Sequence, residues 1–110
     1  MTNPTAEQDA ILEEIVRRLV EVFAPERIYL FGSKARGDAG ADSDFDIMVV
    51  VASSPDPPHR RSQQGYLALR GIGAAVDVQV WTREAFDGRL HLKASFPSTV
   101  VREGKLLYGA

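Results

Sequence analysis

Residues 30–51 read LFGSKARGDAGADSDFDIMVVV. An apolar run stops at Gly32-Ser33, the chain passes through small and polar residues, and Asp42, Asp44 and Asp46 fall at every second position before a second apolar run. Carboxylates are among the costliest groups to bury, so their place at the mouth of so apolar a strand demands a cause. Side chains alternate along a strand, which puts Asp44 and Asp46 on one face and Phe45 and Ile47 on the other. Their Cα atoms then lie roughly 6.8 Å apart, which lets both carboxylates converge on one ion.

The flanking sequence places this stretch between two strands. RIYLF at 27–31 is aromatic and β-branched and ends at Gly32, which predicts a buried strand, and SKARG supplies about one helical turn. FDIMVVV at 45–51 is apolar on both faces and therefore predicts an interior strand, closed by the proline-rich loop ASSPDPPH. Upstream, Ile11, Leu12, Ile15, Val16, Leu19, Val20 and Phe23 recur at helical spacing opposite Glu13, Glu14, Arg17, Arg18 and Glu21, a helix that Ala24-Pro25 should end. Downstream, residues 59–69 allow a helix with Tyr66, Leu67 and Leu69 turned inward, stopped by Gly71 and Gly73. VDVQVW at 76–81 alternates as a strand, and Thr82 can cap a following helix broken at Gly88 and again near Pro97. STVVRE reads as one more short helix before a last strand at KLLY. The expected architecture is α/β (α+β), a small mixed β-sheet flanked by helices, in a single domain over residues 1–110.

Composition narrows the function. At 110 residues, 45% apolar and 25% charged, the chain suits one soluble domain. The absence of cysteine removes disulfides and thiolate metal sites and leans towards a reducing, cytoplasmic location. No apolar run approaches the ~20 residues of a membrane span, and MTNPTAEQDA lacks the features of a signal peptide. A net charge of −2 argues against direct binding of nucleic acid through a basic face. His59 and His91 carry no metal-ligand or nucleophile pattern and are expected at the surface.

A third carboxylate extends the pattern. Asp77, between Val76 and Val78, faces away from the valine side of its strand, and would join Asp44 and Asp46 if the two strands were neighbours. Three such carboxylates repel one another unless a cation holds them, and an all-oxygen donor set suits Mg²⁺ or Mn²⁺. Gly32-Ser33, ending a strand and opening a helical turn, offers backbone N–H groups and a hydroxyl to an anion, although a plain N-cap serine would have the same sequence. Arg36 could pair with a phosphate, while Lys34, Asp38 and Asp42 are as well explained by surface or turn positions. GSKARG lacks the Lys-Ser/Thr of a Walker loop, GIGAAV precedes a strand instead of following one, and the EF-hand pattern fails at Ile47 and Ser53.

Gly32-Ser33, Ala35-Arg36-Gly37, Ser43-Asp44-Phe45-Asp46 and the strand-borne Asp77 together resemble the DNA polymerase beta-like nucleotidyltransferase superfamily, specifically its minimal MNT type. The likeness runs from RIYLFGS to REGKLLYG, with no departure at the catalytic positions. It implies that Asp44, Asp46 and Asp77 are catalytic and hold two divalent metals on a nucleoside triphosphate, with Asp77 also helping to activate the attacking hydroxyl. It implies that Gly32 and Ser33 bind the β- and γ-phosphates, and it sets Arg36 and Ser43 beside the nucleotide. ATP as the donor rests on the resemblance alone. Larger members resembling this chain carry an extra domain for the acceptor, whereas minimal members are paired with a HEPN-type protein, a ribonuclease toxin. The expected role is that of an antitoxin adding AMP to a tyrosine of that partner. The alternatives are a non-catalytic antitoxin acting by contact with its HEPN partner, and a nucleotidyltransferase for a small molecule.

Overall fold

The computed structural model describes residues 4–37 and 44–109, with side chains from residue 7. The elements follow as α1 (Pro4–Phe23), β1 (Arg27–Phe31), α2 (Gly32–Arg36), β2 (Phe45–Val51), α3 (Pro58–Ala68), β3 (Val76–Thr82), α4 (Arg83–Asp87), α5 (Phe96–Glu103) and β4 (Lys105–Tyr108). The strands form one sheet in the order β3-β2-β1-β4. β1 runs antiparallel to β2 and β4, and β2 and β3 are parallel, joined by the α3 crossover. The mixed α/β sheet flanked by helices is therefore the one expected, and FDIMVVV is indeed an interior strand.

Alternation along β2 divides the core in two. Phe45, Ile47, Val49 and Val51 face a cluster with Ile15 and Leu19 of α1, Ile28 and Leu30 of β1, Val78 and Val80 of β3, and Leu69 just beyond α3. Met48 and Val50 face the other way, against Tyr29, Phe86 and Val100, with Phe31, Trp81 and Phe96 packed around them. Burying whole side chains of this size stabilises the fold by about 1.5–3 kcal/mol each before chain entropy is subtracted. β2 thus anchors both layers, and Asp46 lies on the second face, in line with Met48 and Val50.

The helix ends mostly follow local chemistry. Thr82 accepts from the Ala85 N–H to cap α4, and Ser95 accepts from the Ser98 N–H to cap α5. Pro58 opens α3, and Pro97, expected near a break, sits in the first turn of α5, where its missing N–H costs nothing.

Three expectations are corrected. Tyr66 and Leu67 do not turn inward; they are 69% and 51% exposed, and of the three residues named only Leu69 is buried. The inward position of α3 is Gly65, where an added Cβ would stand 2.8 Å from Val78 Cγ1. The helix meets β3 by close backbone approach instead of through a large side chain. Ser33 is not a cap either: Phe31 holds the N-cap position of α2 and makes no side-chain cap bond. Lys34, expected as surface, is half-buried with its ammonium 4.5 Å from the centre of the Phe45 ring, tying α2 to β2. His59 and His91 are exposed. No helix among the described residues is long and apolar enough to cross a membrane.

Candidate active site

The parallel register brings the carboxylates together. Asp46 is the direct partner of Asp77, so the two occupy adjacent strands on the same face, about 4.8 Å apart in the pairing direction. Asp44 precedes β2 by one residue and by alternation shares that face. Asp44 and Asp77 are exposed, and Asp46 is half-buried. The cost foreseen for carboxylates against a core is therefore concentrated in one residue, because the strands begin at an open end of the sheet.

On the other flank Asp46 pairs with Phe31, and the next residue, Gly32, leaves β1 into α2. Gly32 has φ +74°, and a Cβ there would lie 2.2 Å from Asp46 Oδ2. Only glycine permits both the turn and the carboxylate beside it. Ser33 follows in the same turn, half-buried, its carbonyl accepting from the Gly37 N–H at 3.0 Å.

The electrostatics follow from this packing. Desolvation pushes the Asp46 carboxyl above the usual carboxylate range, the charges of Asp77 and then Asp44 push it further, and the positive charge of Arg36 opposes them. The site is thus a carboxylate pair with a third acid beside it, holding excess negative charge that a cation would relieve. Among the described residues no group of three His, Cys, Asp or Glu side chains is gathered closely enough to hold a metal ion. Arg36, exposed on α2, is near enough to act on Asp46. Ser43 lies outside the described residues.

Aromatic residues that the sequence pattern did not single out continue the same face. Phe96, in the first turn of α5, meets Phe31 edge-on at 5.2 Å and Trp81 at 5.9 Å, spanning from β1 towards β3. Trp81 also meets Phe86 at 6.4 Å, and its indole N–H donates to Gln79 Oε1 at 3.3 Å. Asp77, Gln79 and Trp81 form one row on β3, so the carboxylates stand at the rim of an aromatic floor.

Residues 10–105 match the sequence model of the nucleotidyltransferase domain. The chain belongs to this family. It is 34% identical over 83 residues to a candidate protein adenylyltransferase of Methanocaldococcus jannaschii, an alignment covering 76% of this chain and 78% of that protein. A candidate nucleotidyltransferase from Sulfolobus solfataricus shares the fold with a TM-score of 0.65 and 26% identity, over 93% of this chain and 83% of that one. A toxin–antitoxin structure with AMP-PNP superposes with a TM-score of 0.57 and 29% identity, over 90% of this chain and 73% of that one. The strand-borne carboxylates beside a glycine turn therefore belong to a nucleotidyltransferase.

Proposed function

We propose that this nucleotidyltransferase moves AMP from ATP to a hydroxyl of a partner protein, and that the partner is the HEPN ribonuclease toxin of a toxin–antitoxin pair. The observation that carries the chemistry is the Asp46–Asp77 register beside Gly32, which sets a paired carboxylate against a glycine turn whose missing side chain admits the Asp46 carboxylate. The choice of a protein acceptor is supported by the likeness to a candidate protein adenylyltransferase, and the choice of partner by the likeness to a toxin–antitoxin structure. AMP-PNP in the latter supports ATP as the donor.

Asp44, Asp46 and Asp77 fit a hard divalent cation, Mg²⁺ or Mn²⁺. Their donors are all oxygen, and Asp46 carries repulsion that such an ion removes. Because these side chains do not by themselves enclose an ion, they supply part of a coordination sphere whose remaining positions suit phosphate oxygens and water. When bound, the metal supplies charge neutralisation on the transferring phosphoryl group.

In the transfer itself, the acceptor oxygen bonds to the α-phosphorus, the bond to the α–β bridging oxygen breaks, and pyrophosphate leaves. In this reading Asp77 takes the hydroxyl proton. Gly32 and Ser33 hold the departing phosphates through backbone N–H groups and the Ser33 hydroxyl, with Arg36 and Ser43 beside the nucleotide.

The test is incubation of the purified protein with α-labelled ATP and Mg²⁺ in lysate from its own source, beside Asp44→Asn/Asp46→Asn. A small labelled protein, absent with the double variant, is the expected result. No labelled protein, with a partner still co-purifying, would replace catalysis by contact.

A further inference from the structure

β3 is an edge strand, and at the end of it away from Asp77 a cleft of about 300 Å³ is lined by Pro58, Arg61, Val80, Trp81, Ala85 and Arg89. Val80 and Trp81 are consecutive on β3, so their side chains turn to opposite faces and the cleft straddles the open edge of the sheet. We infer that this cleft docks the partner protein, through an acidic side chain next to an apolar one on an extended segment of it. The inference rests on the partner-protein reading above and adds where, and by what chemistry, that partner is held away from the reacting atoms.

Unbalanced charge supplies the first argument. Three arginines are half-buried among the described residues, Arg18, Arg27 and Arg61. Arg18 meets Glu14 and Arg27 meets Asp87. Arg61 meets only carbonyl oxygens: its Nε donates to Val80 at 3.0 Å and its Nη1 to Asp56 at 2.8 Å. Those two bonds fix the plane of the guanidinium but leave its charge unmatched and its Nη2 without an acceptor among the described residues. The Asp56 carboxylate is turned to Gln64 instead, at 3.4 Å. Arg89 lines the same cleft, exposed, and is also in no ion pair among the described residues. Glu84 of α4 borders an adjoining hollow with Arg89 but forms no ion pair with it. A fixed guanidinium with a second one beside it suits a carboxylate.

The remaining lining and the position along the sheet supply the second. Val80 is buried and Trp81 half-buried, and the indole is held in place by Phe86, Phe96 and its bond to Gln79. The cleft thus joins a preset tryptophan to two arginines, residue types that carry much of the binding energy at protein interfaces. Asp77 and Trp81 lie on one face of β3 four residues apart, about 13 Å, a span that an extended chain of about four residues covers. A partner segment seated at Trp81 therefore reaches the carboxylates without any change of fold. Because Arg61 occupies the Val80 carbonyl, the segment is held by its side chains instead of adding a strand to the edge.

The test uses the emission of Trp81, the only tryptophan of the chain. The full chain is titrated separately with acetyl-Leu-Glu-Leu-amide, acetyl-Leu-Gln-Leu-amide and inorganic phosphate. The glutamate peptide should shift the emission saturably, and the glutamine peptide should bind about tenfold less tightly. Arg89→Gln, at an exposed position, should weaken the glutamate peptide about fivefold, with a thermal melt followed by the same emission showing that the fold is kept. Equal binding of the two peptides overturns the inference, as does an emission that neither peptide moves. Phosphate that binds as tightly as the glutamate peptide also overturns it, since the cleft would then be a plain anion site. Labelled ATP in lysate separates this inference from the transfer reading. Peptide discrimination without any labelled protein refutes transfer and keeps the docking cleft; a labelled protein without peptide discrimination does the reverse.

Discussion

Replacing Asp46 by asparagine should stabilise the metal-free protein at neutral pH while removing its activity. Asp46 and Asp77 are direct partners on parallel strands, and unit charges about 5 Å apart repel by roughly 3 kcal/mol at an effective dielectric of about 20. Asp77 is exposed, so solvent and salt reduce this to about 1 kcal/mol. For a domain of this size that is about 4–6 °C in Tm. The sign with pH follows from linkage. Folding raises the Asp46 pKa above its unfolded value, with desolvation as the largest cause and Asp77 next. Between the unfolded and folded values the folded state binds more protons, so stability falls as pH rises through that window. The penalty is complete above the folded pKa and absent below the unfolded one. Thermal melts of wild type and Asp46→Asn in EDTA should therefore differ at pH 7 and coincide near pH 3. An Asn variant no more stable than wild type at pH 7, or a gain that persists at pH 3, would refute the assignment of repulsion to this pair.

Other residues give independent checks. Gly32→Ala places a Cβ against Asp46 Oδ2 at a φ of +74°, and should lower stability in urea melts by about 1–2 kcal/mol with loss of labelled transfer. Phe86 is fully buried between Tyr29 and Trp81, so Phe86→Ala should cost about 3–5 kcal/mol by denaturant unfolding. Arg17 first and then Arg18 hold the Glu14 carboxyl at about 2 through hydrogen bonds. A carbon-detected titration should find that low midpoint in wild type, and Arg17→Ala should move it back towards 4.5.

Periodicity made β1, β2, β3 and α1 legible, because their apolar residues mark the faces those elements bury; KLLY was legible as a strand although its residues other than Leu107 are exposed. The site was legible for a related reason. Asp46 interrupts an otherwise apolar β2, just after Asp44 and beside Asp77 of β3, and an interruption that costs energy marks a place where something else compensates. α3 was harder, since the face it buries is marked by Gly65. Looking for large inward residues there finds Tyr66 and Leu67, which point to solvent. The aromatic floor was hidden more deeply. Phe31, Trp81 and Phe96 each have an ordinary reason to sit in a core, and they are far apart in sequence. What makes them one surface next to Asp46 is the pairing of Phe31 with Asp46, and of Asp46 with Asp77. Strand order and direction are properties of long-range pairing, whereas spacing along the chain reports only which face a residue occupies once its neighbours are known. The carboxylates could be assigned to a face from alternation alone; their meeting depended on β3 lying parallel beside β2. That parallel pairing depends on the α3 crossover, and the crossover packs closely only because Gly65 admits Val78. A glycine on the far side of the sheet thus helps set the register that brings two aspartates together.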